Sequence, residues 1–159
     1  MIGLLITTGK NADSNSRLIA KALFLCVPGS RILWRGRRTL RSMVSKARKQ
    51  HMTRLCVIQK NSGEGHSLGV LQIGTASWSW LSPAIEITAV SSPKIAKKLK
   101  QSTCLKITGK RSKDLGALIS HCNSNEKAES RISATSKRIS FHLSNIKLLS
   151  LGVSYEKHK

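Results

Sequence analysis

Residues 2–29, with the sequence IGLLITTGKNADSNSRLIAKALFLCVPG, contain the signals of a strand, a turn and a helix in direct succession. The run 2–8 is apolar and favours a buried strand, and Gly9 begins a tight turn. Asp13 or Ser14 can cap the helix that follows, and a proline ends it. One face of this helix is apolar and consists of Leu18, Ile19, Ala22, Leu23 and Cys26. The segment therefore predicts a buried strand that leads into an amphipathic helix.

The rest of the first half continues this alternation of strands and helices. Residues 30–34 predict a second strand, and Thr39 opens a second helix. Residues 54–60 and 67–73 predict two further strands, and the glycine-rich loop between them favours a hairpin. The first half is thus predicted to run strand, helix, strand, helix, strand, strand.

The second half repeats part of this plan. The sequence TGK at residues 8–10 recurs at residues 108–110, and Ser112 or Lys113 opens a capped amphipathic helix after the second copy. Further signals predict a short helix, a loop and two closing strands, at residues 92–100, 123–130, 137–143 and 148–155.

The repeated TGK segment predicts an internal duplication. On this interpretation the fold is α/β, with two similar small α/β halves at residues 1–78 and 79–156. The halves would pack as one domain that spans residues 1–159. An apolar content of 40% is enough for such a domain to bury a core.

The chain is strongly cationic, with 28 Lys and Arg against seven Asp and Glu and a formal net charge of +21. Basic residues are concentrated in residues 14–63, which contain twelve Lys or Arg and no Asp or Glu. A protein of this charge attracts polyanions. Nucleic acid is therefore the first partner that the composition indicates, and an anionic membrane surface is the second.

Several basic residues stand where they are unfavourable for helix stability. Arg17 and Lys21 are four residues apart on the first helix, a spacing at which like charges repel. Arg37, Arg38 and Arg41 surround the start of the second helix, where the helix dipole disfavours cations. Phosphates at these positions would reverse both penalties, because guanidinium groups, helix amides and the dipole would then act on one anion.

Catalytic and metal sites are not indicated. The four cysteines, Cys26, Cys56, Cys104 and Cys122, are widely spaced among apolar residues and predict buried, reduced thiols. His121 beside Cys122 has no second ligand pair at zinc spacing, so no metal and no cofactor are predicted. The seven carboxylates are scattered and do not form the cluster that two-metal chemistry needs. We expect a protein without enzymatic activity.

No segment predicts a membrane span or a signal peptide. Residues 67–85 are free of charged side chains, but their glycines, serines and proline indicate strands and turns. The start of the chain lacks the basic region of a signal peptide. We therefore expect a cytoplasmic protein, or a nucleolar one if the source is eukaryotic, without a membrane partner.

Parts of the first half resemble the Brix domain. The similar segments are LITTGK at residues 5–10, Ser14-x-x-Arg17, AKAL at 20–23, RGRR at 35–38 and the glycine loop at 63–65. The chain is similar to the short archaeal members of this ribosome-biogenesis group, which includes the eukaryotic U3 small-nucleolar-ribonucleoprotein component. The similarity covers residues 3–75. Lys10 stands where the family usually has an arginine.

This resemblance implies two α/β halves similar to the anticodon-binding domain of class II aminoacyl-tRNA synthetases. It also implies binding of ribosomal RNA or its precursor, beside other assembly factors and without catalysis. From the charge pattern and the resemblance together, the predicted RNA contacts are Thr7, Thr8, Lys10, Ser14, Arg17, Lys21, Arg35, Arg37, Arg38, Arg41, Arg48 and Lys110.

The class of RNA-binding protein and the kind of RNA contact are both open to experimental test. A structural ribosomal protein is the main alternative to an assembly factor, because it would share the charge and the compact fold. Trp34 lies beside Arg35 and could stack on a base, but a lone tryptophan on a strand is more often a core residue, so Trp34, Trp78 and Trp80 are predicted to pack in the core. Backbone contacts, and not base stacking, should then dominate RNA binding.

Overall fold

The computed structural model of the protein describes residues 3–81, 84–92, 98–119 and 127–155. The helices are α1 (Ser14–Cys26), α2 (Leu40–Lys49) and α3 (Ser112–Ile119). The strands are β1 (Gly3–Thr8), β2 (Arg31–Ile32), β3 (Met52–Lys60), β4 (His66–Ile73), β5 (Trp78–Trp80), β6 (Ile85–Ser91), β7 (Leu105–Thr108), β8 (Ser130–Ala134), β9 (Arg138–Leu143) and β10 (Ile146–Tyr155). None of these three helices has the length and apolar character needed to cross a membrane.

The strand and helix predicted at the start of the chain are confirmed, and both follow from local signals. Asp13 is the N-cap of α1, and its carboxylate accepts a hydrogen bond from the backbone N–H of Ser16 at 2.8 Å. Along β1, Leu4 and Ile6 pack against α1, whereas Leu5 packs against α2. This alternation on a doubly buried strand places the two helices on opposite faces of the sheet.

The second half contains the predicted closing strands, as β9 and β10, and the predicted helix after the second TGK segment, as α3. It also contains β8, which was not predicted: the predicted loop at 123–130 overlaps β8 only at Ser130, and residues 123–126 of that loop lie outside the described residues. β8 pairs in parallel with β7 and antiparallel with β9. Both partners lie in other segments of the chain, so the five residues of β8 do not predict a strand by themselves. The strand β6 was likewise not predicted. The helix predicted for residues 92–100 falls largely on residues 93–97, which lie outside the described residues.

The strands form one mixed sheet with the order β2-β1-β3-β4-β6-β10-β9-β8-β7, and β5 pairs with β4. In the first part of the sheet, which β1–β6 form, β1 pairs with β3 in parallel, and β3–β4 and β4–β6 are antiparallel. In the second part of the sheet, which β7–β10 form, β7 pairs with β8 in parallel, and β8–β9 and β9–β10 are antiparallel. The same order of pairing directions thus occurs twice. The division between residues 78 and 79 stays a prediction.

The helices cover the two faces of the sheet unequally. α1 and α3 pack on one face, in a hydrophobic cluster that draws on both parts of the sheet and includes Phe141. α2 packs on the other face, and its cluster draws on β1, β3 and β4. In the described part of the chain, no helix packs on β7–β10 from the α2 side.

The end of α1 is anchored to side chains far along the sequence. The side-chain amide of Gln101 donates to the backbone carbonyls of Phe24 at 3.0 Å and Val27 at 2.9 Å. The hydroxyl of Ser130 donates to the carbonyl of Cys26 at 2.7 Å. These bonds satisfy carbonyl groups that a helix end leaves without partners. α1 is therefore fixed across both parts of the sheet.

Cys26 and Cys56 are buried and form no disulfide, as predicted. Burial raises the pKa of both thiols to about 12, so both stay protonated near neutral pH. Cys104 is half-buried, and Cys122 lies outside the described residues. Among the residues that the structure describes, no three His, Cys, Asp or Glu side chains are grouped so that they could hold a metal ion.

Candidate nucleic-acid interface

A crevice opens at the carboxyl end of β1, where the chain changes direction across the sheet. From β1 the chain passes through α1 to β2 on one side of β1, and then through α2 to β3 on the other side. Because α1 and α2 lie on opposite faces, the connections that follow β1 and β2 diverge. In open α/β sheets this switch point is the usual position of a ligand site.

The crevice has a volume of about 520 Å³ and combines cationic and aromatic surface. Its lining consists of Thr8, Gly9, Lys10, Ala12, Arg17, Trp34 and Gly36. This lining contains no carboxylate. Lys10 and Arg17 are exposed, and neither side chain forms a hydrogen bond or an ion pair with any described residue. Two of the residues predicted to contact RNA thus lie together, and an anion can reach both side chains.

Backbone hydrogen bonds position both cations. The N–H of Gly9 donates to the carbonyl of Ile58 at 2.7 Å, which fixes the turn after β1 against β3. The N–H of Arg17 donates to the carbonyl of Asp13 at 3.2 Å, in the first turn of α1. The backbone is therefore held at both positions, while the side chains extend into solvent.

The connection between β2 and α2 contributes the opposite wall of the crevice. Nε of Arg35 donates to the carbonyl of Arg38 at 2.8 Å, and Nη1 of Arg38 donates to the carbonyl of Trp34 at 3.1 Å. Gly36 has a φ of 56°, in the left-handed region that favours glycine. Arg37 is exposed, and its side chain has no hydrogen bond or ion pair with a described residue. Two arginines therefore shape the turn, and Arg37 is available to an anion.

Two of the predicted RNA contacts stabilise the fold instead. Thr7 is 0% exposed, and its hydroxyl donates to the carbonyl of Leu33 at 2.7 Å. Its placement in the RNA interface is therefore corrected, because the side chain does not reach the surface. Arg48 donates from Nε and Nη2 to the carbonyls of Gly74 and Ser77, both at 2.9 Å. These bonds tie α2 to the turn after β4 and use two of the five N–H donors of Arg48.

The remaining predicted residues are spread over a wider surface. Ser14 is exposed at the start of α1, Lys21 is half-buried one turn after Arg17, and Arg41 is exposed in the first turn of α2. Lys110 follows β7, at the opposite edge of the sheet. The sheet order places seven strand spacings between β1 and β7, and Lys110 is not part of the crevice lining. The fold therefore does not bring Lys110 to the crevice.

The prediction that the three tryptophans are core residues is wrong. Trp34, Trp78 and Trp80 are 47%, 39% and 53% exposed. Trp34 follows β2 in the connection to α2, and Trp78 and Trp80 lie on β5, a three-residue strand that pairs with β4 outside the main strand order. The ring of Trp80 lies against Gly69, where a side chain would collide with it. Trp34 thus gives the crevice an aromatic surface, and its position beside Arg35 was the signal in the sequence.

Asp13 is committed to contacts within the fold. Nε2 of His66 lies 2.9 Å from its Oδ1, and Nζ of Lys60 lies 3.8 Å from its Oδ2. Partial burial alone would raise the pKa of Asp13. The hydrogen bonds from the N–H of Ser16 and from His66 outweigh that effect and hold the pKa well below its usual range. The carboxylate is therefore ionised, and it is engaged away from the cations of the crevice.

Asparagine at position 13 is expected to remove part of the acid sensitivity of folding. Because the folded-state pKa of Asp13 lies below its ordinary value of 3.8, the carboxylate stabilises the fold above that pH, and this stabilisation is lost as the pH falls below it. Circular dichroism should show a steep fall in Tm below about pH 4 for the wild type and a shallower fall for Asp13→Asn. Asparagine still caps the helix. The exposed-site variant Glu64→Gln is the control, and an equally steep fall in Asp13→Asn would contradict this role.

No family model matches the sequence, and a comparison with curated proteins gives no match. Solved structures do match. The fold is similar to that of a probable ribosomal biogenesis protein from Aeropyrum pernix K1, with a TM-score of 0.78 over 99% of this chain and 98% of that chain, at 13% sequence identity. Mil, an archaeal Imp4-like protein, has a TM-score of 0.64 over 98% of this chain and 99% of its own, at 16% identity. The chain has a Brix-type fold.

The Brix-type fold confirms the resemblance and the mixed α/β class that were predicted from the sequence. At these low identities the agreement lies in the path of the backbone and not in shared side chains. Lys10 places a positive charge in the lining of the crevice. Its ammonium group is a compact charge and not a forked donor.

Proposed function

We propose that this protein binds ribosomal RNA or its precursor during ribosome assembly, through the crevice at the carboxyl end of β1. The observation that carries the proposal is the lining of this crevice, which has two unpaired cations, an exposed indole ring and no carboxylate. The names of the two structural neighbours, a probable ribosomal biogenesis protein and an Imp4-like protein, support the same role.

Phosphate groups are the proposed ligands of Lys10, Arg17 and Arg37. An arginine offers a planar fork of donors to phosphate oxygens, and a lysine offers a compact charge. Trp34 provides a surface on which an unpaired base can stack. With about six phosphates contacted, log K for single-stranded RNA should fall against log salt with a slope of about 4.

The proposed role involves no catalytic step. The lining of the crevice contains no His, Cys, Asp or Glu, the residues that most often act as general acids, general bases or nucleophiles. The protein would act by neutralising phosphates, so that RNA segments can approach each other. Other assembly factors are the proposed protein partners. The proposed site of action is the cytoplasm, or the nucleolus in a eukaryotic cell.

Crosslinking of the protein to RNA in cells tests this proposal. The bound RNA is sequenced, and the same preparation is sedimented to separate precursor particles from mature subunits. Crosslinks concentrated in precursor ribosomal RNA within immature particles are the expected result. Crosslinks confined to mature subunits would identify a structural ribosomal protein instead. Absence of crosslinks would contradict RNA binding, and flotation with anionic liposomes would then test a membrane surface.

A further inference from the structure

The strands β7–β10 present a polar surface on the α2 side of the sheet. Their inward side chains, such as Ile107, Ile132 and Phe141, belong to the cluster beneath α1 and α3. The alternate positions of β7, β8 and β9 are more exposed and carry hydroxyl, basic or imidazole groups. We call this surface, with its continuation onto β10 and β6, the hydroxyl face. Its residues are Lys106, Thr108, Arg131, Ser133, Arg138, Ser140, His142, Lys147, Ser150 and Ser91.

One row of the hydroxyl face is basic across four strands. In the register of the sheet, Lys106 lies opposite Arg131, Arg131 opposite His142, and His142 opposite Lys147. Like charges directly opposite each other destabilise a sheet. The strands β7–β10 contain no Asp or Glu, and Glu129, which precedes β8, lines a depression with Arg131 and His142. Lys106 and Arg131 are the like charges that lie directly opposite each other, and a bound polyanion would neutralise them.

The environment of His142 reflects this concentration of charge. Burial lowers the pKa of His142, and the charges of Lys147 and Arg131 lower it further. Its Nδ1 is buried and has no hydrogen-bond partner among the described residues. The imidazole is therefore neutral near pH 7. The flanking side chains of Arg131 and Lys147 are exposed and carry the positive charge of the row.

A second row, parallel to the basic one, consists of hydroxyl groups. From one strand to the next, the paired residues are Ser91, Ser150, Ser140, Ser133 and Thr108. The Oγ atoms of Ser140 and Ser150 are 3.3 Å apart, which confirms that they share a face. Ser150 is 7% exposed, so the hydroxyls that a ligand can reach are those of Ser91, Ser133, Ser140 and Thr108. Each of these hydroxyls can donate one hydrogen bond and accept others. A depression of about 340 Å³ adjoins this row and is lined by Ser133, Thr135, Lys137, Arg138 and Ser140.

Two carboxylates lie at the margins of the hydroxyl face. Glu129 precedes β8 and accepts a hydrogen bond from the backbone N–H of Thr103 at 2.8 Å. With Arg131 it lines a separate depression of about 160 Å³. Glu86 lies on β6, opposite Ser154. Neither carboxylate belongs to the depression beside the hydroxyl row, so that part of the face is purely cationic and polar.

We propose that the hydroxyl face binds the sugar–phosphate backbone of a second RNA segment, in addition to the segment at the crevice. This inference rests on the proposed function. Phosphates would accept hydrogen bonds from Lys106, Arg131 and Lys147, and the hydroxyl row would bond to phosphate oxygens and ribose 2′-hydroxyls. The outward residues of the face include no Trp, Tyr or Phe, so its contacts would recognise the backbone and not the bases.

An acidic protein segment is the competing occupant, and the chemistry of the face favours RNA. Protein interfaces are usually centred on aromatic or aliphatic anchors that fill pockets. The hydroxyl face presents no such anchor and no apolar pocket. The crevice and the depression beside the hydroxyl row share no lining residue, so the crevice and this face would hold different RNA segments. The protein then bridges them.

Simultaneous binding of two RNAs tests this inference. The full-length protein is mixed with a biotinylated and a fluorescein-labelled single-stranded RNA that cannot pair, and the fluorescence retained on streptavidin is measured. The wild type should retain the second RNA. The variant Lys106→Gln/Arg131→Gln/Lys147→Gln changes three exposed positions. It should retain about tenfold less of the second RNA than the wild type and bind a single RNA as the wild type does.

The matched control is Lys49→Gln/Lys100→Gln/Lys113→Gln, which removes the same charge from three exposed positions outside both surfaces. Co-retention that is unchanged in the hydroxyl-face variant, or equally reduced in the control, would overturn the inference. Binding of one RNA by the wild type without co-retention would also overturn it and leave the proposed function standing. No binding of either RNA would contradict the proposed function itself. Displacement of the second RNA by poly-glutamate but not by unlabelled RNA would assign the face to an acidic protein and overturn the inference.

Discussion

Replacing Lys10 and Arg17 by glutamate is expected to weaken RNA binding by about 100-fold. A charge-assisted hydrogen bond to phosphate contributes about 1.5 kcal/mol, so the loss of two such contacts costs about 3 kcal/mol, equivalent to about 100-fold in Kd. The new carboxylates also repel phosphate, which adds to the loss. Fluorescence anisotropy with a labelled single-stranded RNA measures this at several salt concentrations. The slope of log K against log salt should decrease by about 1.4.

This loss should not result from unfolding. Arg17 lies in the first turn of α1, where a glutamate interacts favourably with the helix dipole. Lys49→Glu/Lys113→Glu makes the same change of charge at exposed positions on α2 and α3. Attraction over longer distances is screened beyond about 8 Å at physiological salt, so this control should lose only a few-fold in affinity. Equal losses in both variants would show that binding depends on net charge and not on the crevice.

Alanine at Gly109 is expected to destabilise the protein by about 3 kcal/mol. Gly109 has a φ of 98°, where a Cβ atom costs about 1–2 kcal/mol. A Cβ atom there would also overlap the backbone carbonyl of Ala134 in β8, which adds about 1–3 kcal/mol. At about 2–4 °C per kcal/mol for a domain of this size, the Tm should fall by about 10 °C. Thermal unfolding followed by circular dichroism measures the change.

Gly9, the glycine of the first TGK segment, provides the control. A Cβ atom at Gly9 would lie 3.3 Å from Cγ of Gln59, and the exposed side chain of Gln59 can move aside. Gly9→Ala should therefore lower the Tm by only a few degrees. Binding of a single RNA at the crevice by Gly109→Ala below its Tm should equal that of the wild type, because Gly109 does not line the crevice. Equal falls in Tm for the two variants would show that both turns have the same backbone requirement.

The elements of the first half could be predicted because their signals lie within a few residues of each other. Asp13 and Thr39 cap α1 and α2 by accepting hydrogen bonds from Ser16 and Ser42, each three residues further on. The apolar alternation of β1 and the turn at Gly9 are equally local. Such contacts form in the same way wherever the segment lies in the fold, so a pattern of neighbouring residues is enough to identify them.

Burial and strand pairing in the rest of the chain could not be predicted in this way. Trp34 is exposed because it lies in the connection between β2 and α2, outside both hydrophobic clusters, whereas its residue type favours burial. β8 forms because β7 and β9 flank it, and both are separate segments of the chain. The polar side chain of Thr7 is buried because Leu33, on a different strand connection, accepts its hydrogen bond.

The net positive charge and the opening strand–turn–helix unit are properties of the amino-acid sequence, since they depend on composition and on neighbouring residues. Which basic side chains share a surface depends on the tertiary fold. Chain reversal around β1 brings Lys10, Arg17 and Trp34 to one crevice and commits Arg48 to the turn after β4. Strand register places side chains from distant segments about 5 Å apart in one row. That register arises from the packing of whole strands, and no spacing along the chain encodes it.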